Sequence, residues 1–593
     1  MACDAPGKYA GFADYARRTG YRAMSVLANR IKRRESRETQ IFAAGSTASP
    51  LGRSAAANCR EDVMSYEFWA DGLRYETHHG RVVLCHTERP AHIAAMFDEA
   101  VARRGNDIAV VDGDARLTYQ DVAARADKCA TRLLDLGIKP GDRVVILLDN
   151  RADYTVLLVA TARIGAICVP SNIRQRAPET AYVLNDCTAT AIIYENALAE
   201  HLPDAANAPS VRHWLPYEEE ARIWDAITVD AAAIAGCAPV HEDDPFCILY
   251  TSGTTGRPKG AVLTHFGLIT NAIGTQNHLG LRDGDTMILS VPASHVTGIE
   301  LILLLALRIA GKVVVQRGFK ARAFLELAEK ERMSFAIMVP AMYKLCLLDP
   351  DFAKFDLGAW RIGAFGGAPM PGATVEELAS HCPQLTLVNI YGSTETSSPA
   401  VMMPLGEAST RLDSVGRPLP YTRLIIVDDT GTQVPAGEQG EIWIGGPMIV
   451  PCYWNNPDAT AAGFTGGYWR SGDIGVMDEQ GYVRVLDRMK DMINRGGFKI
   501  YSVEVENTLM AHETVVEAAV VGRPCDVLGE RVIAFVVTRE ATDSDSLRAF
   551  CAKNLSDYKV PDQVHIVDGP LPRNPNGKLL KTAVREWLDT ISV

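Results

Sequence analysis

Thr251-Ser252-Gly253-Thr254-Thr255-Gly256-Arg257-Pro258-Lys259-Gly260 gathers four hydroxyls, three glycines and one lysine into ten residues. It follows Phe246-Cys247-Ile248-Leu249-Tyr250, an apolar run of strand length. Glycine lets the backbone fold so that successive N–H groups point inward. Thr251, Ser252, Thr254 and Thr255 add hydroxyl donors, Gly253 and Gly256 supply bends, and Lys259 supplies a point charge. Such a loop after a buried strand suits a polyphosphate. The Gly-Lys-Ser/Thr ending of a Walker A loop is missing at the required spacing. A Gly/Thr-rich surface turn is the competing reading, and the attached Pro258-Lys259-Gly260 weighs against it. The whole run is expected to form a single loop.

Further along, Asn389-Ile390-Tyr391-Gly392-Ser393-Thr394-Glu395 offers a flat ring for a purine, a tight bend at Gly392 and a phosphate donor at Thr394. Glu395 is a hard oxygen ligand of the kind Mg²⁺ takes. It is expected to face solvent and to carry no core packing. Gly366-Gly367-Ala368-Pro369 is small enough to let a ligand approach the backbone. In Trp469-Arg470-Ser471-Gly472-Asp473 a carboxylate follows a glycine turn and can accept both hydrogen bonds of a ribose diol. The run from Asp487 through Arg488 and Lys490 to Gly496-Gly497 reads by itself as a charged, solvated linker. Near the end, Asn576-Gly577 signals a tight turn that would project Lys578 from a loop tip.

These blocks, in this order, resemble the adenylate-forming (AMP-binding) enzymes, in particular their acyl-CoA synthetase or acid–thiol ligase branch. The resemblance covers roughly residues 90 to 593. It implies that the Thr251–Gly260 run binds ATP phosphates and that Gly367, Ala368 and Pro369 form one wall of the adenine and acyl site. It further implies that Asn389, Tyr391, Gly392 and Thr394 line the nucleotide site, with Tyr391 stacked on adenine and Glu395 holding Mg²⁺. Asp473 would take the ribose, although position 471 carries serine where threonine is commoner in the family. Arg488 would reach ribose and phosphate, Lys490 would be the hinge, and Gly496 and Gly497 would line the thiol channel. Lys578 would bridge the substrate carboxylate and the α-phosphate. His295 would gate the acyl site, unless it is a satisfied core histidine. The aspartate that binds an α-ammonium in amino-acid-activating members is replaced by Val296. With Met338, Ala341, Ala364 and Ser397-Ser398-Pro399-Ala400 beside it, the pocket suits a monocarboxylate with an aliphatic, alicyclic or aryl tail. Coenzyme A is the expected acceptor. An acyl-AMP ligase loading a separate carrier protein, a luciferase-like oxygenase, and a nucleotide-binding scaffold without turnover are the alternatives.

Composition agrees. A chain of 593 residues, 47% hydrophobic, can bury more than one core. The net charge of −12 argues against a nucleic-acid surface. Thirteen scattered cysteines without a Cys-x-x-Cys pair favour free thiols in a reducing cytoplasm. Ile299–Ala310, the most apolar helix-like stretch, is too short to span a bilayer; peripheral membrane contact and a homo-oligomer stay compatible with the sequence. Residues 1–63 carry a basic run and an Ala/Ser/Gly-rich stretch, read as a disordered arm or a start site assigned upstream of Met64. Beyond them, Ile108–Val111, Val144–Leu148 and Ala166–Val169 read as strands, with helices from an N-cap at Thr118 and over Tyr154–Ile164. Pro420–Ile444 reads as β-rich, and from Ser502 the order is helix, strand, strand, helix, strand. The expected fold is α/β: a large N-terminal domain (64–489) of layered α/β subdomains plus a β-rich subdomain, then a small mobile α+β domain (490–593).

Overall fold

The computed structural model describes residues 72–217, 238–251, 257–368, 370–573 and 579–589. The basic N-terminal arm lies outside them. The described chain begins with a hairpin, Leu73–His78 with Arg81–His86, which the sequence reading missed; its exposed positions mix Arg74 and Thr77 with Tyr75 and Val82 and so blur the alternation.

Two large sheets follow. One has six strands, with Arg143–Leu147, Ile167–Pro170 and Ala191–Glu195 parallel at its centre and the hairpin of Pro245–Thr251 and Lys259–Thr264 at one edge. The other has nine strands, built around the parallel run Thr286–Leu289, Phe335–Met338, Ile362–Gly366 and Thr386–Ser393. Strand side chains alternate between faces. Val144, Ile146, Cys168 and Leu249 enter the main core, while Val145, Leu147, Val169 and Ile248 enter a second core on the opposite face. The helix Ala152–Ile164 contacts strands of both sheets and is buried around nearly its whole circumference. That explains its lack of a polar face. Thr118 caps the helix Tyr119–Asp135 through a reciprocal box with Asp121, as the sequence predicts.

One ion-pair cluster pins the edge of the nine-stranded sheet. Glu331, 3% exposed at its side chain, accepts from Arg116 at 2.8 Å and Lys312 at 2.8 Å. Arg116, opposed by burial and assisted by Lys312, lowers its pKa from 4.5 to about 2. A carboxylate depressed in the folded state contributes stability above its unfolded pKa, and the contribution is lost as pH falls from 4.5 through about 2. Glu331→Gln should therefore cost about 2 kcal/mol at neutral pH. The gap between variant and wild type in urea unfolding should close across that acid window. A gap independent of pH would rule out the ion pair as its source.

The β-rich segment is a five-stranded antiparallel sheet including Arg423–Val427, Gln439–Gly445, Tyr468–Met477 and Val483–Arg488. Beyond it, Ile493 onward builds a separate five-stranded sheet with its own cores. Helices Ser502–Met510 and Ser544–Asn554 cover one face through Val505, Leu509, Leu547 and Cys551; Val584 and Leu588 cover the other. The predicted order from Ser502, helix, strand, strand, helix, strand, is observed, and a helix that was not predicted, Lys581–Glu586, follows it. Every described cysteine is a free thiol, as expected. Among the described residues no helix is long and apolar enough to cross a membrane.

Candidate active site

The phosphate-loop run is not one loop. Lys259 pairs with Thr251 across the edge hairpin, and the strand Lys259–Thr264 begins at the lysine itself. The Thr251 hydroxyl donates to the Lys259 carbonyl at 3.4 Å. Antiparallel pairing thus takes both ends of the run into strands. Ser252, Gly253, Thr254, Thr255 and Gly256 lie outside the described residues. Tyr182 donates to the Pro258 carbonyl at 2.8 Å, fixing the hairpin from the neighbouring helix. A cleft of about 490 Å³ opens beside it, lined by Tyr182, Arg257, Lys259, Asn456 and Asp458.

Segment 450–454 crosses this hairpin. Trp454 N–H donates to the Gly260 carbonyl at 2.6 Å, and Ala261 bridges Tyr453. The crossing sets the Tyr453 ring under Lys259, whose Nζ lies 5.1 Å from the ring centre. The Tyr453 hydroxyl donates to Glu395 Oε1 at 2.9 Å, and the Ser393 hydroxyl to Glu395 Oε2 at 2.5 Å. Val450 N–H adds a bond to the Glu395 carbonyl at 3.0 Å. Glu395 is therefore 7% exposed, not solvent-facing. Its roof comes from a segment that no local pattern connects to it. Burial, then the Glu395 charge, pushes the Tyr453 phenol well above its ordinary value, so it stays a donor.

On the same block Tyr391 donates to Asp473 Oδ2 at 2.6 Å, and Arg488 Nε meets Asp473 Oδ1 at 2.6 Å. Asp473 and Arg488 are paired across adjacent strands, which accounts for the contact. Asp473 is 5% exposed. Its N–H donates to the Ser471 hydroxyl at 2.9 Å, and that hydroxyl donates to the Ile442 carbonyl at 2.7 Å, so serine at 471 performs the bracing. Burial, together with the Asp473 charge and hydrogen bond, holds the Tyr391 phenol well above its ordinary range. Burial pulls Arg488 down, but the charges of Asp473 and Glu395 outweigh it and the net shift is upward. Gly392 is required here. A Cβ would come within 2.0 Å of the Ser398 carbonyl oxygen.

The remaining predicted residues are placed as follows. Asn389 is buried and donates to the Ser414 carbonyl at 3.1 Å, so its amide braces the strand. Thr394 is buried beside Glu395. Gly367 and Ala368 are exposed at the end of the strand Ile362–Gly366; Pro369 lies outside the described residues. His295 caps a short helix, its Nδ1 accepting from Thr297 N–H at 3.3 Å. Val296 is buried. Met338, Ala364 and Ala400 are buried, whereas Ala341 is exposed. Gly496 and Gly497, at φ 60° and 88°, form the two-residue turn of the hairpin Ile493–Ile500 in the small sheet. Lys490 is exposed in the turn before that hairpin, and its carbonyl accepts from Arg585 at 3.2 Å. Lys578 lies outside the described residues. Tyr453, which holds Glu395, was missed, and no spacing signal in the chain marks it; Ser393 stood in the same block as Glu395 without a role assigned to it.

The AMP-binding enzyme family matches residues 97–454, and the AMP-binding enzyme C-terminal domain matches residues 504–578. The chain is 34% identical over 479 residues to a long-chain-fatty-acid–CoA ligase, FadD13, of Mycobacterium tuberculosis, covering 80% of this chain and 93% of the relative. It is 35% identical over 481 residues to a feruloyl-CoA synthase of an Amycolatopsis species, covering 80% and 95%. The crystal structure of ATP-bound MatB from Rhodopseudomonas palustris superposes with a TM-score of 0.77 at 29% identity, over 84% of this chain and 99% of that one.

Proposed function

Because the chain belongs to the AMP-binding enzyme family, we propose that it is an ATP-dependent acid–CoA ligase. It would join a monocarboxylic acid to AMP, release pyrophosphate, and pass the acyl group to coenzyme A. The observation that carries this reading is the continuous polar line Lys259–Tyr453–Glu395–Ser393 running beside Tyr391–Asp473–Arg488. One end presents cations and hydroxyls suited to phosphate, and the other a carboxylate held by a guanidinium and a phenol. Attack of the substrate carboxylate on the α-phosphorus places charge on non-bridging oxygens. Fixed cations such as Lys259 and Arg488 offset that charge without reorganising.

Glu395 fits a Mg²⁺ ligand. It is a hard oxygen donor held by two hydroxyls, and each carboxylate oxygen keeps a further lone pair. When bound, the ion would neutralise phosphate charge. The acid is fatty, alicyclic or aryl. Val296, buried and apolar, offers no carboxylate at the position that would hold the ammonium of an α-amino acid, and so argues against that substrate. A thioester-formation screen with ATP, Mg²⁺ and CoA across fatty and aromatic acids tests the proposal. Thioester with one class of acid supports it; no thioester and no acid-dependent pyrophosphate with any of them refutes it.

Both half-reactions would share one site, so residues 490–593 would move as a mobile domain about Lys490. Arg585 and Asp491, joined at 2.8 Å, and Ser502 with Asp487 at 2.7 Å flank that position on either side of the turn. Lys490→Pro fixes φ near −65° and keeps the carbonyl that Arg585 uses. Adenylate formation should persist while thioester formation from preformed adenylate falls by at least about tenfold, the mark of a trapped conformer. Equal retention of both activities would move the pivot elsewhere.

A further inference from the structure

The strand Val483–Arg488 ends on two consecutive charged residues, and neighbours on a strand face opposite ways. Arg488 turns to Asp473, beside Tyr391. Asp487 turns away from it, is 2% exposed, and is held in the β-rich sheet by pairing with Ile474. Its Oδ2 accepts from both the N–H and the hydroxyl of Ser502, the hydroxyl at 2.7 Å. Its Oδ1 accepts from Arg488 N–H at 2.7 Å. Ser502 opens the helix Ser502–Met510 over the small sheet, so the carboxylate also meets a helix N-terminus, where an anion is favoured.

The contact continues beyond Ser502. The Ser502 hydroxyl accepts from Lys581 Nζ at 2.6 Å. Lys581 pairs with Glu506 at 2.6 Å, and Glu506 accepts from Val520 N–H at 2.8 Å. Burial works against the Asp487 charge, while Lys581 and the bonds from Ser502 favour it. Next to Ser502, the Tyr501 hydroxyl donates to Gln439 Oε1 at 2.5 Å, and Gln439 belongs to the same sheet as Asp487. Tyr501 and Ser502 thus grip the sheet that precedes Lys490. Lys490 lies between Asp487 and Ser502 in the chain, so both contacts close across it.

Resting on the ligase reading and on the pivot at Lys490, we propose that Asp487 is a positioning residue. It latches residues 490–593 in the orientation seen here, and a turn about Lys490 requires Ser502 to leave it. Opening exchanges the Ser502 bonds for bonds to water, so the contact holds the orientation without locking it. Asp487 acts through Ser502 and Lys581 on the segment that carries Lys578, and does not itself touch the reacting groups.

The test is limited trypsin digestion of the full chain, followed as cleavage after Lys490, beside the two half-reactions measured separately. Asp487→Ala should speed that cleavage by about fivefold or more, because a lost charge-assisted bond shifts a local opening equilibrium by that order. The half-reaction served by the orientation seen here should slow by about fivefold or more, and the other should hold within about twofold. Asp487→Asn, which keeps the shape and loses the charge, should show both effects in smaller measure and guards against an alanine variant that fails to fold. Ser502→Ala added to Asp487→Ala should do no further harm, since both substitutions open one contact. A role confined to folding would slow both half-reactions alike. Equal loss in both, additive effects of the two substitutions, or unchanged cleavage after Lys490 overturns the proposal while leaving the ligase reading intact. Thioester and pyrophosphate from none of the acids in a wider screen would remove the ligase reading. The digestion needs no substrate and would still decide whether Asp487 holds the orientation.

Discussion

Lys578→Ala should lower kcat for adenylate formation by about 10²- to 10³-fold, the usual effect of removing one positioned donor to developing charge. The effect should be confined to that half-reaction. The described chain on either side of Lys578 is anchored to the small sheet: Arg573 pairs with Leu579, and Arg573 and Leu571 N–H both reach Glu517, at 2.7 and 3.2 Å. In the proposed division at Lys490, the lysine would travel with residues 490–593, while Lys259, Glu395 and Asp473 would stay with the preceding domain. If the small domain turns away after the first step, the lysine leaves with it. Thioester formation from supplied acyl-adenylate should then match wild type within a fewfold. Pyrophosphate release without CoA and acyl-CoA yield from preformed adenylate read the two steps separately. Equal loss in both would mean that Lys578 does not act in adenylation alone.

Glu395→Gln should cost about 10²-fold in kcat/KM for Mg·ATP, since a metal that loses its anionic ligand loses several kcal/mol of charge stabilisation. It should also cost the fold something, which a solvent-facing ligand would not. Glu395 accepts from Tyr453 and from Ser393. An amide can accept on one side only, so one buried hydroxyl would face an N–H group, at a cost of about 1–2 kcal/mol. The activity deficit should be steepest at limiting Mg²⁺ and partly recovered by excess. Wild-type dependence on Mg²⁺ in the variant would remove the metal role. Unchanged unfolding would mean that the buried hydrogen bonds contribute little.

Much of this fold was legible because strand alternation and helix caps are local. Phe246–Leu249 is buried throughout, and Thr118 caps where its hydroxyl and Asp121 require. The order of elements after Ser502 followed from the same signals. What stayed hidden depends on distant chain. Glu395 reads as exposed until Tyr453, 58 residues on, is seen to donate to it. Lys259 reads as a loop residue until Thr251 is seen opposite it. Asp473 and Arg488 were singled out separately, and only the strand pairing makes them one ion pair.

The central claim is that one site makes an acyl-adenylate and then hands the acyl group to a thiol. Rapid mixing of the full chain with acid and labelled Mg·ATP, followed by a delayed addition of CoA, addresses it directly. Pyrophosphate should appear before CoA is added, up to about one equivalent per site. AMP and acyl-CoA should then appear together, one for one, after the addition. AMP released at its full rate without CoA, or CoA consumed with no prior pyrophosphate, would contradict the two-step ligase account.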